Sequence, residues 1–530
     1  MNSTRNTPSR LLRAAAGVFT LALSAASSSA ETLDLPQAVR LALQHNFDLR
    51  IQAQAPGIAV DQLAIARGEM DMSVYARVSF EDNQRLQNAV DLVSTNVRRW
   101  EESNWRSEAG LTGLLPFGAE YRLFTSFDVL KNSVNMRPGS FDAPITDPAV
   151  GYGPIYSPEY VSFAGVALTQ PILKGFGRGS TLARANIARI EVDAADFERH
   201  LAITNQLIAV VNAFYDLAFA TENIAVKQQA VDLAARFRDE TARKLDLGRA
   251  SAIDVDQAAV KLSEAKEELI LAQDFRRDRQ IALMRLIVPS WAPGAAFEPY
   301  DLKYDFTAVT PPADLAALTQ AALKDRPDAR LTHLRSEQES IRYTYAQNQT
   351  RPTLDLQLRA GVNGYAGTTG DSHDRLYDAK EPAWAVGLAF NYPLGNRSAR
   401  AEKRLAGRRR EQAELAIAKV QTEIALQVLN SARRIETYLQ RLETAVKSRE
   451  LAETTLAAEE KRFEKGLTSS FNVLEFQTKL SDVRTREVAA RIDLQKAQAE
   501  LWSVSGQLPR ELGVEIVAAS DRREADFTLW

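Results

Sequence analysis

Residues 244–265, KLDLGRASAIDVDQAAVKLSEA, are echoed by residues 462–483, RFEKGLTSSFNVLEFQTKLSDV. In each copy a glycine, Gly248 or Gly466, follows a long stretch without proline, and a serine precedes the next amphipathic stretch. A glycine that ends one helix and a serine that begins the next predict a helical hairpin. The two glycines lie 218 residues apart, so one structural unit is used twice in the chain.

The duplication extends outward from these turns. Residues 34–48 are echoed by residues 314–328 at an offset of 280, and residues 165–172 by residues 387–394 at an offset of 222. The offset shrinks by 58 between the first helix and the end of the last strand. The first copy therefore carries an insertion in its β region, while the helical regions nearly match.

Alternating apolar and polar residues predict the strands. Over residues 384–392 the apolar side chains fall on every second position, and Trp384 and Tyr392 stand at the two ends. About ten residues of such alternation cross a bilayer, and aromatic residues are enriched at its interfaces. A soluble sandwich shows the same alternation, so one run alone does not decide between them. The runs are 73–82, 106–115, 119–128 and 160–170 in the first copy, and 354–363 and 384–392 in the second.

The first copy has four alternating runs and the second has two, so each copy has an even number of strands. The chain should therefore enter and leave the β region on the same side. The extra hairpin, residues 106–128, should turn at Pro116-Phe117-Gly118 on the side of the helices. Residues 131–159 and 364–381 are rich in Gly, Asp and Ser or Pro, which predicts long surface loops.

Helical periodicity is strongest in two long stretches, residues 181–247 and 398–463. Each should span about 100 Å at ~1.5 Å per residue, but the returning arms are only about half as long. We expect residues 47–70 and 327–350 to fill the unpartnered half of each hairpin. Pro56-Gly57 should break or kink the first of these helices.

The N-terminus predicts export. Residues 1–30 combine three arginines, an apolar stretch and the small residues Ser28-Ser29-Ala30, which is typical of a cleavable signal peptide. Its removal takes the formal net charge from −3 to −6, which argues against a nucleic-acid partner. The chain has no cysteine, so disulfides, thiolate metal sites and acylated-cysteine anchors are excluded.

The sequence shows almost no arrangement of residues that is typical of a catalytic, phosphate-binding or metal site. His45, His200, His333 and His373 are far apart and match no metal spacing. Residues 175–180, GFGRGS, lack the spacing of a phosphate loop and are better explained as an elbow between strand and helix. The sequence therefore predicts no enzyme, no cofactor and no metal site.

These features divide the chain into a signal peptide (1–30), two structural repeats (31–310 and 311–510) and a C-terminal tail (511–530). The first repeat should hold short helices, β-hairpins over 72–172 and a long helical hairpin over 179–289. The second should hold a helix over 314–350, a β-hairpin over 351–394 and a long helical hairpin over 397–508.

Taken in order, four segments resemble the TolC-like outer-membrane efflux proteins of Gram-negative bacteria. They are LPQAVRLALQHNFDLR (35–50), TQPILKGFG (169–177), LGRASAIDV (247–255) and KGLTSSFNVLEFQ (465–477). The resemblance implies an α+β membrane protein, internally duplicated, that acts as a homotrimer. Its long coiled-coil hairpins would form a periplasmic α-barrel, and its strands an antiparallel β-barrel in outer-membrane lipid.

The same resemblance implies the outer-membrane channel of a tripartite efflux or type I secretion system, coupled through a periplasmic adaptor to an inner-membrane pump. The usual protomer gives four strands, so the extra hairpin either widens the barrel or packs elsewhere. The tips that would contact the adaptor are Gly248, Arg249, Ala250, Ser251, Gly466, Leu467, Thr468 and Ser469. The periplasmic gate would comprise Asp254, Asp256, Asn472 and Glu475, where Asn472 replaces a carboxylate of the family.

A secreted coiled-coil structural or adhesion protein with a soluble β domain is the alternative. It explains the helices but not the ten-residue strands with aromatic ends. Fractionation with and without detergent distinguishes the two.

Overall fold

Two very long helices, one in each repeat, organise the structure. The computed structural model describes residues 32–95, 98–133, 158–288 and 300–516. The helices of the first repeat are α1 (Leu35–His45), α2 (Phe47–Gln52), α3 (Ala55–Arg67), α4 (Ala89–Thr95), α5 (Arg178–Thr181), α6 (Ala183–Asp246) and α7 (Ala252–Ile287). Those of the second repeat are α8 (Leu315–Asp325), α9 (Pro327–Gln349), α10 (Thr369–Asp378), α11 (Arg397–Glu464), α12 (Ser470–Val504) and α13 (Leu508–Glu511).

Each long helix pairs with a shorter return helix. α7 packs along α6, and α12 packs along α11. α12 also packs on α6, which joins the two hairpins into one bundle. The remaining halves of the long helices are covered by α3 on α6 and by α9 on both α6 and α11. The predicted filling of the unpartnered halves is thus confirmed.

The largest core lies where the first repeat begins and its hairpin ends. It is built by fully buried side chains of α6 and α7 and by small residues of α1: Leu207, Phe214, Leu217, Leu283, Ala38 and Ala42. A short parallel pair, β1 (Thr32–Asp34) with β6 (Asp301–Lys303), ties the start of the described chain to the segment between the repeats. Burial of each large apolar side chain contributes roughly 1.5–3 kcal/mol, so this core fixes the middle of the bundle.

One helix of the described residues, α6, is long and apolar enough by length and composition to cross a membrane. That test is also passed by core helices of soluble proteins. The apolar residues Leu207, Phe214 and Leu217 are fully buried in the bundle. We therefore treat α6 as a core helix.

Six strands form one antiparallel sheet. They are β2 (Ser73–Leu86), β3 (Arg99–Leu114), β4 (Glu120–Leu130), β5 (Glu159–Pro171), β7 (Thr353–Ala366) and β8 (Pro382–Asn391). Their order in the sheet is β2-β3-β4-β5-β7-β8, so the second repeat continues the sheet of the first. Residues 106–128 lie in β structure as predicted, inserted in series between β2 and β5. β2 and β8 are the two edges.

The hairpin turn after β3 is at the helical side of the sheet. The backbone N–H of Gly177, in the elbow before α5, donates to the carbonyl of Phe117 at 3.0 Å. This contact places residues 116–118 beside the strand-to-helix elbow, as the even strand number predicted.

The two faces of the sheet differ sharply. One face, here called the apolar face, carries the exposed side chains Val74, Val78, Phe80, Leu123, Val166, Trp384, Leu388 and Phe390. Trp384 is 77% exposed and Leu388 is 68% exposed, although both are large and apolar. The opposite face, here called the polar face, carries the intervening arginines, carboxylates and glycines.

Two expectations need correction. Residues 364–381 are not simply a loop, because strand β7 continues to Ala366 and α10 spans most of the remainder. Thr368 caps α10 by accepting from the N–H of Asp371, and the buried Ser372 bonds to Ser162 of β5. The helix expected over residues 314–350 is instead two helices, α8 and α9, because Pro327 begins a new helix after Arg326. The break predicted at Pro56-Gly57 is observed, since α2 ends at Gln52 and Pro56 lies in the first turn of α3. Residues 1–30, most of the loop 131–159 and most of the tail 511–530 lie outside the described residues.

Candidate functional site

Both helical hairpins end in the same backbone motif, far along the helices from the sheet. After α6 the N–H of Arg249 donates to the carbonyl of Lys244 at 2.7 Å. After α11 the N–H of Leu467 donates to the carbonyl of Arg462 at 2.9 Å. Gly248 and Gly466 between them have φ of 66° and 70°, a conformation that favours glycine. These are matching Schellman turns, so the paired glycines have the role predicted for them.

The two tips differ at the start of the return helix. Ser251 caps α7: it accepts from the N–H of Asp254, and the Asp254 carboxylate accepts from the N–H of Ser251 at 3.0 Å. Ser469 stands at the equivalent place before α12 but makes no capping bond through its side chain. Asn472, in place of a carboxylate, donates instead to the Thr468 hydroxyl at 3.0 Å. Only the first tip therefore has a complete capping box.

A hydrogen bond joins the tips of the two repeats. The hydroxyl of Ser470, a side chain only 2% exposed, donates to Oδ1 of Asp254 at 2.5 Å. Oδ2 of the same carboxylate accepts from the Ser251 hydroxyl at 2.7 Å. These hydroxyls, Ser251 first and then Ser470, hold the pKa of Asp254 below its ordinary value. Asp254 is thus engaged within the protomer by both of its oxygens.

A second contact joins the tips through the long helices. The ammonium of Lys244 on α6 lies 3.9 Å from the ring centre of Phe463 on α11 and donates to the carbonyl of the same residue. The Phe463 ring also contacts the Phe237 ring, with centres 5.1 Å apart. One turn away, burial raises the pKa of Glu460, and Glu240 raises it further. The cation–π contact between Lys244 and Phe463 therefore joins the two long helices near the tips. The like charges of Glu240 and Glu460 oppose it nearby.

A groove of about 760 Å³ runs between α7 and α12 just behind the tips. Its apolar lining includes Ile253 and Phe471, which are 67% and 63% exposed. Asp256 and Glu475 stand on its edges, so the structure brings these two predicted carboxylates together on one surface. Asn472 and Asp254 do not line the groove.

The residues that link the repeats were not predicted from the sequence. Ser470, Lys244 and Phe463 lie in or beside the repeated segments, but each has its partner more than 200 residues away. A single sequence carries no signal for such a pairing. The offset of 218 between the tips hints only that the two turns are equivalent.

Within the described residues, no group of three or more histidine, aspartate or glutamate side chains is placed to hold a metal ion. The tips are instead built for shape and contact. They present backbone turns, an apolar groove and carboxylates that flank it.

The chain matches the sequence model of a known protein family. The outer membrane efflux protein family matches this chain over residues 154–287 and 318–507, which is more than half of it. The two matched segments correspond to the last strand and hairpin of the first repeat and to nearly all of the second. A search of curated proteins finds no match.

Several solved structures share the fold. The outer-membrane channel OprN is 16% identical, with a TM-score of 0.64, over 89% of this chain and 90% of its own. The outer-membrane channel CmeC of Campylobacter jejuni is 14% identical, with a TM-score of 0.62, over 100% and 98%. The outer membrane protein VceC of Vibrio cholerae is 16% identical, with a TM-score of 0.60, over 89% and 96%.

Proposed function

The chain belongs to the outer membrane efflux protein family, and from this we propose that it is a passive exit duct in the outer membrane, assembled as a homotrimer. It serves a tripartite efflux or type I secretion system, with a periplasmic adaptor and an inner-membrane pump as partners. The observation that carries the proposal is the exposed apolar face of the sheet, with two unpaired edges, at one end of long helical hairpins.

A soluble protein would cover such a face. Exposed apolar side chains run along the sheet from Val74 on one edge strand to Trp384 and Phe390 on the other. Lipid covers them without cost, whereas water does not. The secreted structural protein with a soluble β domain leaves this surface unexplained.

The open edges favour closure with further copies. In lipid an unpaired strand edge leaves backbone groups without partners, so spanning sheets close into barrels. The sheet has an even number of strands, so β2 and β8 run in opposite directions. β8 of one protomer can then pair antiparallel with β2 of the next, and three copies form a closed ring.

Closure with six strands from each of three protomers gives eighteen strands. With strands about 4.8 Å apart and tilted by about 40°, the barrel is roughly 35 Å across between strand axes. Four strands from each protomer would give roughly 24 Å by the same geometry. The extra hairpin thus widens the exit, and bulky solutes fit this duct better than a twelve-stranded one.

The helices supply reach and contact. α6 and α11, with 64 and 68 residues, extend about 100 Å from the sheet at ~1.5 Å per residue. The tips would meet the adaptor through Leu467, Thr468 and the opposite turn.

The gate would lie at the same end. Three copies of Asp256 and Glu475 near the axis would attract cations and repel one another. Contacts such as Ser470 with Asp254 would hold the resting tip in place against that repulsion.

Membrane fractionation tests the proposal. Detergent should be required to extract the protein from the outer membrane, because the apolar face contacts lipid. Release by high salt alone would support the secreted structural protein and contradict the duct.

A further inference from the structure

The polar face of the sheet carries an unusual cluster of two arginines and two phenylalanines. Arg122 of β4 and Arg359 of β7 face the same side, with Ala167 of β5 between them in register. Phe124 and Phe163 lie beside them, with ring centres 5.3 Å apart. We call these four residues the arginine cluster.

The guanidinium groups rest on the rings. Cζ of Arg122 lies 4.5 Å from the centre of Phe124, and Cζ of Arg359 lies 4.4 Å from the centre of Phe163 and 5.4 Å from that of Phe124. Both cations therefore stand over one aromatic pair. Stacking of this kind holds a guanidinium in place while its edge N–H groups stay free to bind.

Two glycines, one on β5 and one on β7, make room for the Phe163 ring. A Cβ built on Gly361 would come within 2.4 Å of the Phe163 ring, and one built on Gly165 within 2.7 Å. The Phe163 ring therefore packs against bare glycine backbone, and only 7% of Phe124 and 6% of Phe163 are exposed. The cluster is a packed feature of the sheet, so the position of both cations is fixed by the fold.

Few carboxylates lie close enough to neutralise the positive charge of the arginine cluster. Arg122 reaches Glu108 at 3.4 Å, and Glu108 already accepts from the Tyr75 hydroxyl at 2.6 Å. For the guanidinium of Arg359, the described part of the chain offers ring contacts but neither a salt bridge nor a hydrogen bond. Two cations held close together, with one carboxylate that reaches only Arg122, leave guanidinium donors for an outside oxyanion.

We propose that the arginine cluster is an anion-binding site on the inner wall of the duct, and that it favours the passage of solutes carrying phosphate, sulfonate or carboxylate groups. This rests on the proposed closed barrel, in which the apolar face meets lipid and the polar face lines the lumen. Three copies then face one water-filled bore. Charged side chains on a channel wall set ion selectivity in this way.

Single-channel recording of the purified protein in planar bilayers tests the site. Under a KCl gradient the double variant Arg122→Gln/Arg359→Gln should shift the reversal potential towards cation selectivity. Added inorganic tripolyphosphate should reduce the current of the wild type, and the double variant should need at least tenfold more for the same block.

Two further variants separate the causes. Arg122→Lys/Arg359→Lys keeps the charges but loses the planar fork, so it should retain the reversal potential and bind tripolyphosphate less tightly. Glu108→Gln removes the carboxylate that reaches Arg122 and should strengthen the block. Glu108→Gln should therefore change the tripolyphosphate block in the opposite direction to Arg122→Gln/Arg359→Gln. General loosening of the sheet would not strengthen the block.

Failure of the site and failure of the duct give different results. A conducting wild type whose selectivity and tripolyphosphate block are unchanged in the glutamine variant overturns the anion site alone. A protein that forms no pore even when Asp254→Asn has loosened the resting tip overturns the proposed duct, and the site with it.

Discussion

Ser470 donates a hydrogen bond to Asp254 across the tips of the two repeats, at 2.5 Å. The serine begins α12 and the aspartate lies in the first turn of α7, so one contact joins the two return helices where they leave the turns. The bond is charge-assisted and Ser470 is buried, which makes it a strong contact for a tip region.

Ser470→Ala should loosen the tip. Loss of a hydrogen bond to a charged group costs about 1.5–3 kcal/mol, which corresponds to roughly tenfold or more faster exchange of the amides at the start of α12. Hydrogen exchange of the purified protein measures this directly. Ser469→Ala is the matched control, because the Ser469 side chain makes no capping bond and its loss should leave exchange unchanged.

The resting conductance should depend on Asp256 and Glu475. The double variant Asp256→Asn/Glu475→Gln should weaken cation selectivity and multivalent-cation block in planar bilayers. Both residues are exposed, so stability should change by only about ±0.5 kcal/mol. Asp254→Asn should act differently and raise the basal conductance, because Asp254 holds the tip. Equal behaviour of the two variants would contradict this division of roles.

Mild acid should strengthen the tip. The pKa of Glu460 is raised by burial and by the nearby Glu240, so the folded state binds a proton more tightly than the unfolded state. Its contribution to stability therefore increases as pH falls through the raised pKa. The pKa of Asp254 is lowered, so its contribution is full above the ordinary aspartate value and is lost as pH falls through the lowered one.

Thermal melts of wild type and Glu460→Gln, from about pH 4, near the ordinary carboxylate pKa, to about pH 7.5, check the sign of this contribution to stability. At neutral pH the variant should have the higher Tm, and the difference should vanish as the medium becomes acidic. A difference that grows on acidification would show that Glu460 does not carry an unfavourable charge.

Residues 364–381 should face the outside of the cell. Arg375 and Lys380 on and after α10 are exposed, and the sheet separates them from the helices. Trypsin added to intact cells should cut there. Lys465 at the second tip is the internal control, because it is also exposed but should be cut only after the outer membrane is permeabilised. Cleavage at Lys465 in intact cells would reverse the topology. The same orientation for residues 131–159 stays a prediction.

The long helices were predictable almost to the residue, because each is a long stretch without proline that is bounded by glycines at its two turns. α11 was expected over 398–463 and spans Arg397–Glu464. Strand β3 was expected from residue 106 but begins at Arg99. Its first part, which includes Glu101 and Glu102, is polar on both faces, so no alternation marks it there.

Helix α10 and the contacts between repeats were not predicted, for different reasons. α10 is short and polar, TGDSHDRLYD, so it has no apolar stripe, although Thr368 and Asp371 form a recognisable cap. The contacts of Ser470 with Asp254 and of Arg359 with Phe163 depend on how hairpins and strands pack in three dimensions. Periodicity in one sequence does not contain that information. The division of the chain into a signal peptide, two repeats and a tail stays a prediction.

Closure of the barrel between protomers is the central claim, and the absence of native cysteine makes it directly measurable. Ser79→Cys on β2 can be combined in turn with Ala383→Cys, Ala385→Cys and Ala389→Cys on β8, and each pair oxidised in the membrane. Denaturing gels should show cross-linked species that end at three copies in at least one register, and none with either cysteine alone. Only uncross-linked monomer in every register, together with a monomeric mass in mild detergent, would contradict the trimeric duct.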